Sequence, residues 1–323
     1  MAAARKETGE GSASNHDLWS LLDATGFAVY RLRELELAQF HLTIEQAAIL
    51  RLSKTARRGI TVRQIKDFTL RQQNSISILI NRMVGMGLIS KENVAGQRDL
   101  AILITQEGLR LLKQITVTCL EDVFSELPEN RKTELAYSLR SLYQKARGLL
   151  VPDEPPFMRY VAPDASASMP TEEKNSDGVP SDYLLWSRLD STRFAISRLR
   201  ALELSRFGLS VEQASILRVL VDRVGPSTFK DLEDASLRQH HSVSTLVNRM
   251  MKMGLVRIEA KAARKRYHIF ATPKGKRLLA GINTLAIDMA FSALTPSEKH
   301  ELGVLLLPIY RKARRLLGAC EMG

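Results

Sequence analysis

The chain of 323 residues has room for two domains of ordinary size, and with 45% hydrophobic and 25% charged residues each half can bury a core. No run of 18 apolar residues is present to cross a bilayer, "MAAARKETGEGSASNH" lacks the apolar stretch of a secretory leader, and two cysteines without CxxC spacing point to a reducing cytoplasm with no disulfide framework. Lys and Arg number 47 against 35 Asp and Glu, and this net +12 favours a polyanionic partner such as nucleic acid, although membrane surfaces also attract basic proteins.

Residues 1–16 read as a short disordered tail. From Asp17 to about Phe40, Leu18, Leu21, Leu22, Ala28, Val29, Leu32 and Leu35 recur at helical spacing. Thr43 followed by Gln46 is a capping box, so a second helix begins near Ile44 and ends near Arg57–Gly59. Thr61 with Gln64 opens a short third helix. The fourth lies in "LRQQNSISILINRMVGMGL" (Leu70 to Leu88), where Ile76, Leu79, Ile80 and Met83 form an apolar stripe and Gly87 ends the helix. "LISKENV" and "LAILIT" are short β-type runs around "AGQRD", a hairpin with a small basic tip. Thr105 starts a fifth helix and a sixth follows. The order is four helices, a hairpin and two helices.

"VPDEPPFMRYVAPDASASMPTEEKNSDGVP", Val151 to Pro180, holds six of the eleven prolines and a charge of −4, which describes an extended linker. Beyond it the first half returns. "LWSLLDATGFAVYRLRELELAQFHLTIEQAAILR" (Leu18 to Arg51) matches "LWSRLDSTRFAISRLRALELSRFGLSVEQASILR" (Leu185 to Arg218), and "SLYQKARGLL" (Ser141 to Leu150) matches "PIYRKARRLL" (Pro308 to Leu317). The offset stays at 167 residues without a gap, too long for a solenoid repeat, so the sequence reads as a duplicated domain. Ser210 with Gln213, Val243, Leu246, Val247 and Met250, Gly254, and Thr272 with Pro273 repeat the earlier signals. Thr295, Pro296 and Glu298 mark the start of the last helix. The expected domains are 17–150 and 181–323, with charges of +5 and +11.

A short helix, a tight turn, a polar-faced helix and a basic hairpin describe a winged helix-turn-helix. With a long helix before it and two after, the order resembles the multiple-antibiotic-resistance regulator (MarR) family. The residues that carry the resemblance are "SISILINRMVGMGL" with "ITQEG", and "SVSTLVNRMMKMGL" with "ATPKG". It implies a mainly α fold with small β-hairpin wings. Because such proteins are usually homodimers with interlocked outer helices, it also implies that the two tandem domains form a single-chain pseudo-dimer, monomeric in solution.

The resemblance further implies which residues touch duplex DNA, with the fourth helix seated in a major groove. In the first copy these are Gln73, Asn74, Ser75, Ile78, Asn81 and Arg82. In the second they are His240, His241, Ser242, Thr245, Asn248 and Arg249. The family's wing arginine falls on Arg98, and in the second copy on Lys265, flanked by Arg264 and Arg266; the usual wing acid is replaced by Gly96 and Ala263. The apolar stripes are kept and the polar faces differ, which implies two similar but non-identical half-sites. The family usually represses and is released by a small, often aromatic effector. Its candidate contacts here are Trp19, Phe27, Tyr30 and His41, with Trp186, Phe194 and Phe207 opposite; each could equally be core.

The plainer readings are solvated surface for the polar faces, ion pairs within a domain for Arg82 and Arg249, and solubility for the wing of the second copy. Six scattered histidines give no metal-ligand spacing, so neither metal nor cofactor is expected at His240 and His241. Cys119, replaced by Ala286 in the second copy, reads as a buried structural thiol rather than a redox sensor, and Cys320 falls in a frayed tail. Neither a nucleophile–base constellation nor a GxxxxGK loop is present, which argues against an enzyme. The rival reading is a winged-helix interaction scaffold that does not bind specific DNA.

Overall fold

The computed structural model describes residues 14–56, 59–69, 73–93, 99–151, 181–223, 225–261 and 266–320. The first half runs α1 (Asn15–Ala38), α2 (Ile44–Thr55), β1 (Ile60–Thr61), α3 (Val62–Thr69), α4 (Gln73–Gly85), β2 (Ile89–Glu92), β3 (Ala101–Ile104), α5 (Gln106–Gln114), α6 (Thr118–Phe124) and α7 (Glu129–Leu150). The second runs α8 (Asp182–Ser205), α9 (Val211–Asp222), α10 (Phe229–Ser236), α11 (His240–Lys252), β4 (Val256–Lys261), β5 (Arg266–Ala271), α12 (Pro273–Gly281), α13 (Leu285–Phe291) and α14 (Pro296–Cys320). The tail before Ser14 and most of the linker lie outside the described residues.

Two compact units form, and they do not follow the two sequence halves. Among the described residues the first unit takes the chain through Phe27, Arg140–Leu150 and Thr192–Leu306; the second takes Ala28–Leu139, the stretch ending at Ser191, and the chain from Leu307 onward. Each unit therefore combines the winged-helix part of one half with helix segments of the other.

In the second unit Leu37, Ile49, Leu50, Ile65, Ile76, Ile80, Met83 and Ile102 are buried to 1% exposure or less. Each such side chain contributes about 1.5–3 kcal/mol by leaving water. In the first unit Leu204, Leu217, Leu232, Val243, Val247, Met250 and Ile269 do the same. The apolar stripes of α4 and α11 thus face their own cores. Thr43 with Gln46 and Ser210 with Gln213 close reciprocal capping boxes on α2 and α9. Thr228 with Asp231 closes another on α10.

β2 pairs antiparallel with β3 from Ile89↔Ile104 to Glu92↔Ala101, and β1 adds to the other edge of β3 through Ile60↔Ile102. β4 pairs with β5 from Val256↔Ala271 to Lys261↔Arg266, and a single bridge, Ser227↔Ile269, stands where β1 would be.

Three features differ from the sequence expectation. Among the described residues each half has seven helices rather than six, because α6 and α13 intervene before the long final helix. Both are seven residues long, and neither Val117 nor Thr284, which precede them, makes a side-chain capping bond; burial of Phe124 and Phe291 holds them in place. The two-residue β1 is too short to show an alternation. α2 ends at Thr55, before the expected Arg57–Gly59. Among the described residues no single helix is long and apolar enough to cross a membrane.

Candidate nucleic-acid interface

α4 and α11 are each fixed at the C-terminal end. There Gly87 and Gly254 take left-handed backbone at φ +71° and +69°. Leu88 N–H donates to Met83 O and Gly87 N–H to Val84 O; Leu255 N–H donates to Met250 O and Gly254 N–H to Met251 O. This pair of bonds satisfies the last carbonyls of each helix. Thr105 Oγ1 then donates to Gly87 O and Thr272 Oγ1 to Gly254 O, both at 2.7 Å, which ties the start of α5 or α12 to the end of the polar-faced helix. Lys274 Nζ adds a bond to Met253 O at 2.8 Å.

The faces left outward are the polar ones. On α4, Ser75, Ile78, Asn81 and Arg82 are exposed, Ile78 by 71%. The side chains of Gln73 and Asn74 lie outside the described residues. On α11, His240, His241, Ser242, Asn248 and Arg249 are exposed and Thr245 is half-buried. Neither Arg82 nor Arg249 forms an ion pair among the described residues. Of the wing cations, Arg98, Arg264 and Lys265 lie outside the described residues, as does the side chain of Arg266.

The two faces differ in their supports. Lys91 of β2 donates to Asn81 Oδ1 at 2.5 Å, linking wing to helix. The position equivalent to Lys91 is Ile258, so Asn248 has no such tether. His240 Nδ1 lies 2.6 Å from Glu233 Oε1, and its ring centroid is 5.6 Å from that of Phe229. His240 is thus held by α10, whereas His241 projects into solvent.

A second feature sits in the first unit, a cavity of about 610 Å³. α1 contributes Trp19, Asp23 and Phe27, α8 contributes Arg193 and Arg200, and α9 contributes Glu212 and Arg218, with Arg238 at the approach to α11. Asp23 keeps 38% side-chain exposure because it faces the cavity. Enclosure by protein still pushes its carboxyl above the usual range, against the pull of Arg193 at 3.6 Å. Burial lowers the pKa of His16, and the cations Arg218 and Arg200 lower it further. Gly26 is the residue that lets Arg193 cross α1, since a Cβ there would lie 2.7 Å from Arg193 Cδ.

Of the seven candidate effector contacts, only Trp19 and Phe27 line this cavity. Tyr30 and Trp186 belong to the second unit, where the Tyr30 hydroxyl donates to Glu45 at 3.4 Å and Trp186 is buried against Tyr183. His41 is exposed at φ +55° just past α1. Phe194 is half-buried in the first unit outside the lining, and Phe207 packs on the winged-helix core. The lining arginines were not singled out from sequence. Their only local signal is Arg193, which stands where the first half has Gly26.

Cys119 is half-buried and its thiol donates to Glu36 Oε2 at 2.8 Å. Burial pushes the thiol pKa upward, and the Glu36 carboxylate pushes it further, so the group stays protonated. Glu36 also accepts from the buried Arg33, from Thr116 Oγ1 and from Cys119 N–H, a network whose counterpart joins Arg200, Glu203 and Ala286 N–H.

Residues 207–266 match the model of the MarR family. Over that segment the chain is similar to the MarR family. The MarR-family match spans α9, α10, α11, β4 and the start of β5, so all six polar-face positions of α11 lie within it. Among solved structures the chain is similar to apo wild-type MarR from E. coli, at 17% identity and a TM-score of 0.31, over 34% of this chain and 85% of that one. It is also similar to the organohalide-sensing transcriptional regulator RdhR. The ligand-free form gives 26% identity and a TM-score of 0.36, and the 2,4-dichlorophenol-bound form 26% and 0.33, each over 42% of this chain and 83% of that one. No curated protein matches the chain.

Proposed function

We propose that the protein is a MarR-type transcriptional regulator that binds specific duplex DNA in the cytoplasm and catalyses no reaction. One chain acts as a pseudo-dimer and reads two similar but non-identical half-sites through α4 and α11. It represses transcription and is released by a small effector. The observation that carries the reading is the outward polar face of α11, anchored at Gly254 and followed by a two-stranded wing, inside the MarR-family segment. Support for the pseudo-dimer comes from the compact units, each of which joins segments of both halves.

Ser, Asn, His and Arg side chains on such a face hydrogen-bond base edges, while exposed Ile78 suits a thymine methyl group. Wing cations act on phosphates and the minor groove, without sequence preference. The test is fluorescence anisotropy with duplexes from upstream of the protein's own gene, at several salt concentrations. With roughly 6–10 phosphates neutralised, affinity falls about 10³-fold or more between 50 and 200 mM salt. A flat salt dependence, or no binding to any duplex, rejects the reading in favour of a protein-interaction scaffold.

A further inference from the structure

We propose that Glu233 is a positioning residue for His240: it holds the imidazole with Nδ1–H inward and Nε2 toward DNA, where the charged ring grips a backbone phosphate. DNA binding through the second copy then takes up one proton. The phosphate contact rests on the regulator reading above; the clasp between Glu233 and His240 does not.

His240 is the first residue of α11 and its side chain is 70% exposed, yet two groups on α10 fix the ring. Glu233, only 19% exposed, brings Oε1 to 2.6 Å from Nδ1. Phe229 lies one helical turn earlier on the same face of α10, its ring centroid 5.6 Å from that of the imidazole and tilted by 60°. A carboxylate only accepts hydrogen bonds, so Nδ1 carries the hydrogen whether the ring is neutral or charged. The nitrogen left for a partner is Nε2. With one member so exposed, the pair adds little stability, and its effect is orientation.

The chemistry of the partner decides the charge. Contacts to phosphate fix the register of a helix in the groove, and a phosphate diester, like a carboxylate, only accepts. A neutral ring that gives its one hydrogen to Glu233 has only a lone pair at Nε2 and cannot bond a phosphate. The contact therefore needs the imidazolium, with one N–H on Glu233 and the other on the phosphate. His241, without such a brace, is left to the base edges.

Charged groups on the elements packed against α11 pair with one another. On α10 Lys230 pairs with Asp234 at 3.2 Å, and Asp231 with Arg223 at 2.9 Å. Ahead of α11, Arg238 pairs with Glu212 of α9 at 3.3 Å, while Arg218 and Asp222 of α9 face the cavity. On β4 Arg257 pairs with Glu259. At the 167-residue offset, Phe229, Glu233 and His240 stand where the first half has Val62, Lys66 and Gln73. Glutamine does not titrate, so the proton dependence belongs to one half-site.

Two measurements separate the clasp from the contact. In the full chain without DNA, the imidazole nitrogen NMR shifts give the tautomer of the neutral ring. Free histidine prefers its hydrogen on Nε2; His240 is expected to carry it on Nδ1 and to revert in Glu233→Ala. Hydrogen on Nε2 in the parent overturns the clasp, whether or not the chain binds DNA. Anisotropy titrations at one salt concentration, with duplexes from upstream of the protein's own gene, follow the contact. Parent affinity falls about tenfold between pH 6 and pH 8, the range in which histidine loses its charge. His240→Gln removes that fall. Glu233→Gln keeps an acceptor for Nδ1–H without the charge, so the fall moves to lower pH and shrinks over this range. A parent independent of pH, the same fall in His240→Gln, or a parent-like profile in Glu233→Gln overturns the phosphate contact. Absence of binding to any duplex rejects the regulator reading and the phosphate contact with it, and the tautomer still decides the clasp.

Discussion

Gly108 and Gly275 set how closely α5 and α12 approach the ends of the polar-faced helices α4 and α11, and replacing either by alanine tests that contact. An ideal Cβ on Gly108 would lie 2.2 Å from Leu88 O and 2.9 Å from Ile104 Cγ1; on Gly275 it would lie 2.3 Å from Leu255 O. An ordinary carbon–oxygen contact is about 3.3–3.6 Å, so the helix must retreat by about 1 Å. The obstacle is a backbone carbonyl, which no rotamer change removes. Retreat also stretches the bond from Thr105 Oγ1 to Gly87 O. Overpacking costs about 1–3 kcal/mol and a weakened cap about 1 kcal/mol, offset by about 1 kcal/mol from alanine's helix propensity. The net loss for Gly108→Ala is about 1–3 kcal/mol. With m of about 2 kcal/mol/M in urea, the unfolding midpoint falls by about 0.5–1.5 M. Gly148→Ala is the control, since that glycine is exposed in α7 with nothing within 4 Å of its added Cβ, and its midpoint holds or rises. A Gly108→Ala midpoint at or above the parent's, or an equal fall in Gly148→Ala, refutes the reasoning.

Glu36→Gln breaks the buried pair with Arg33 and costs about 3–5 kcal/mol near neutral pH, read as a lower urea midpoint. Burial works to raise the Glu36 pKa, but the Cys119 thiol and Arg33 overcome it and hold the carboxyl below its ordinary value. Its stabilisation is therefore present above the ordinary glutamate range and lost as pH falls through the lowered value, so the gap between parent and Glu36→Gln narrows in acid. Arg249→Ala weakens DNA binding, and if it removes one phosphate contact the log–log salt slope falls by about 0.9; an unchanged affinity and slope places Arg249 outside the interface. Changing Arg264, Lys265 and Arg266 together to alanine weakens binding more than Arg98→Ala and lowers the slope by up to about 3, as anisotropy titrations will show. Sedimentation returns a mass near the 36.2 kDa of one chain; an obligate species of about twice that mass rejects the single-chain pseudo-dimer.

What could be read along the chain was what local chemistry decides. Thr43 with Gln46, Ser210 with Gln213 and the left-handed Gly87 and Gly254 act on neighbours three or four residues away, so their meaning survives without the fold. α6 and α13 escaped because packing, not capping, makes them helical. Arg33 and Glu36 look like an ordinary solvent-facing pair, but the group that completes their site is Thr116 O, 83 residues from Arg33. The cavity was illegible for the same reason on a larger scale. Trp19 and Phe27 meet Arg193, Arg218 and Arg238 from the other half, and aromatics grouped by position within one half include Tyr30 and His41, which go elsewhere.

Gly26 and Arg193 occupy the same position at the 167-residue offset, and they touch each other. On the two-copy reading proposed above, this place once met its own twin. Two arginines here would collide and repel, and two glycines would give up the packing that Arg193 now supplies. Asp23 has joined the arrangement by holding Arg193. The two halves have become lock and key at this point, so neither can substitute for the other. A protein built from either half alone would need a compensating change here before it could assemble symmetrically. On that reading, divergence at one glycine favours keeping the two copies on one chain.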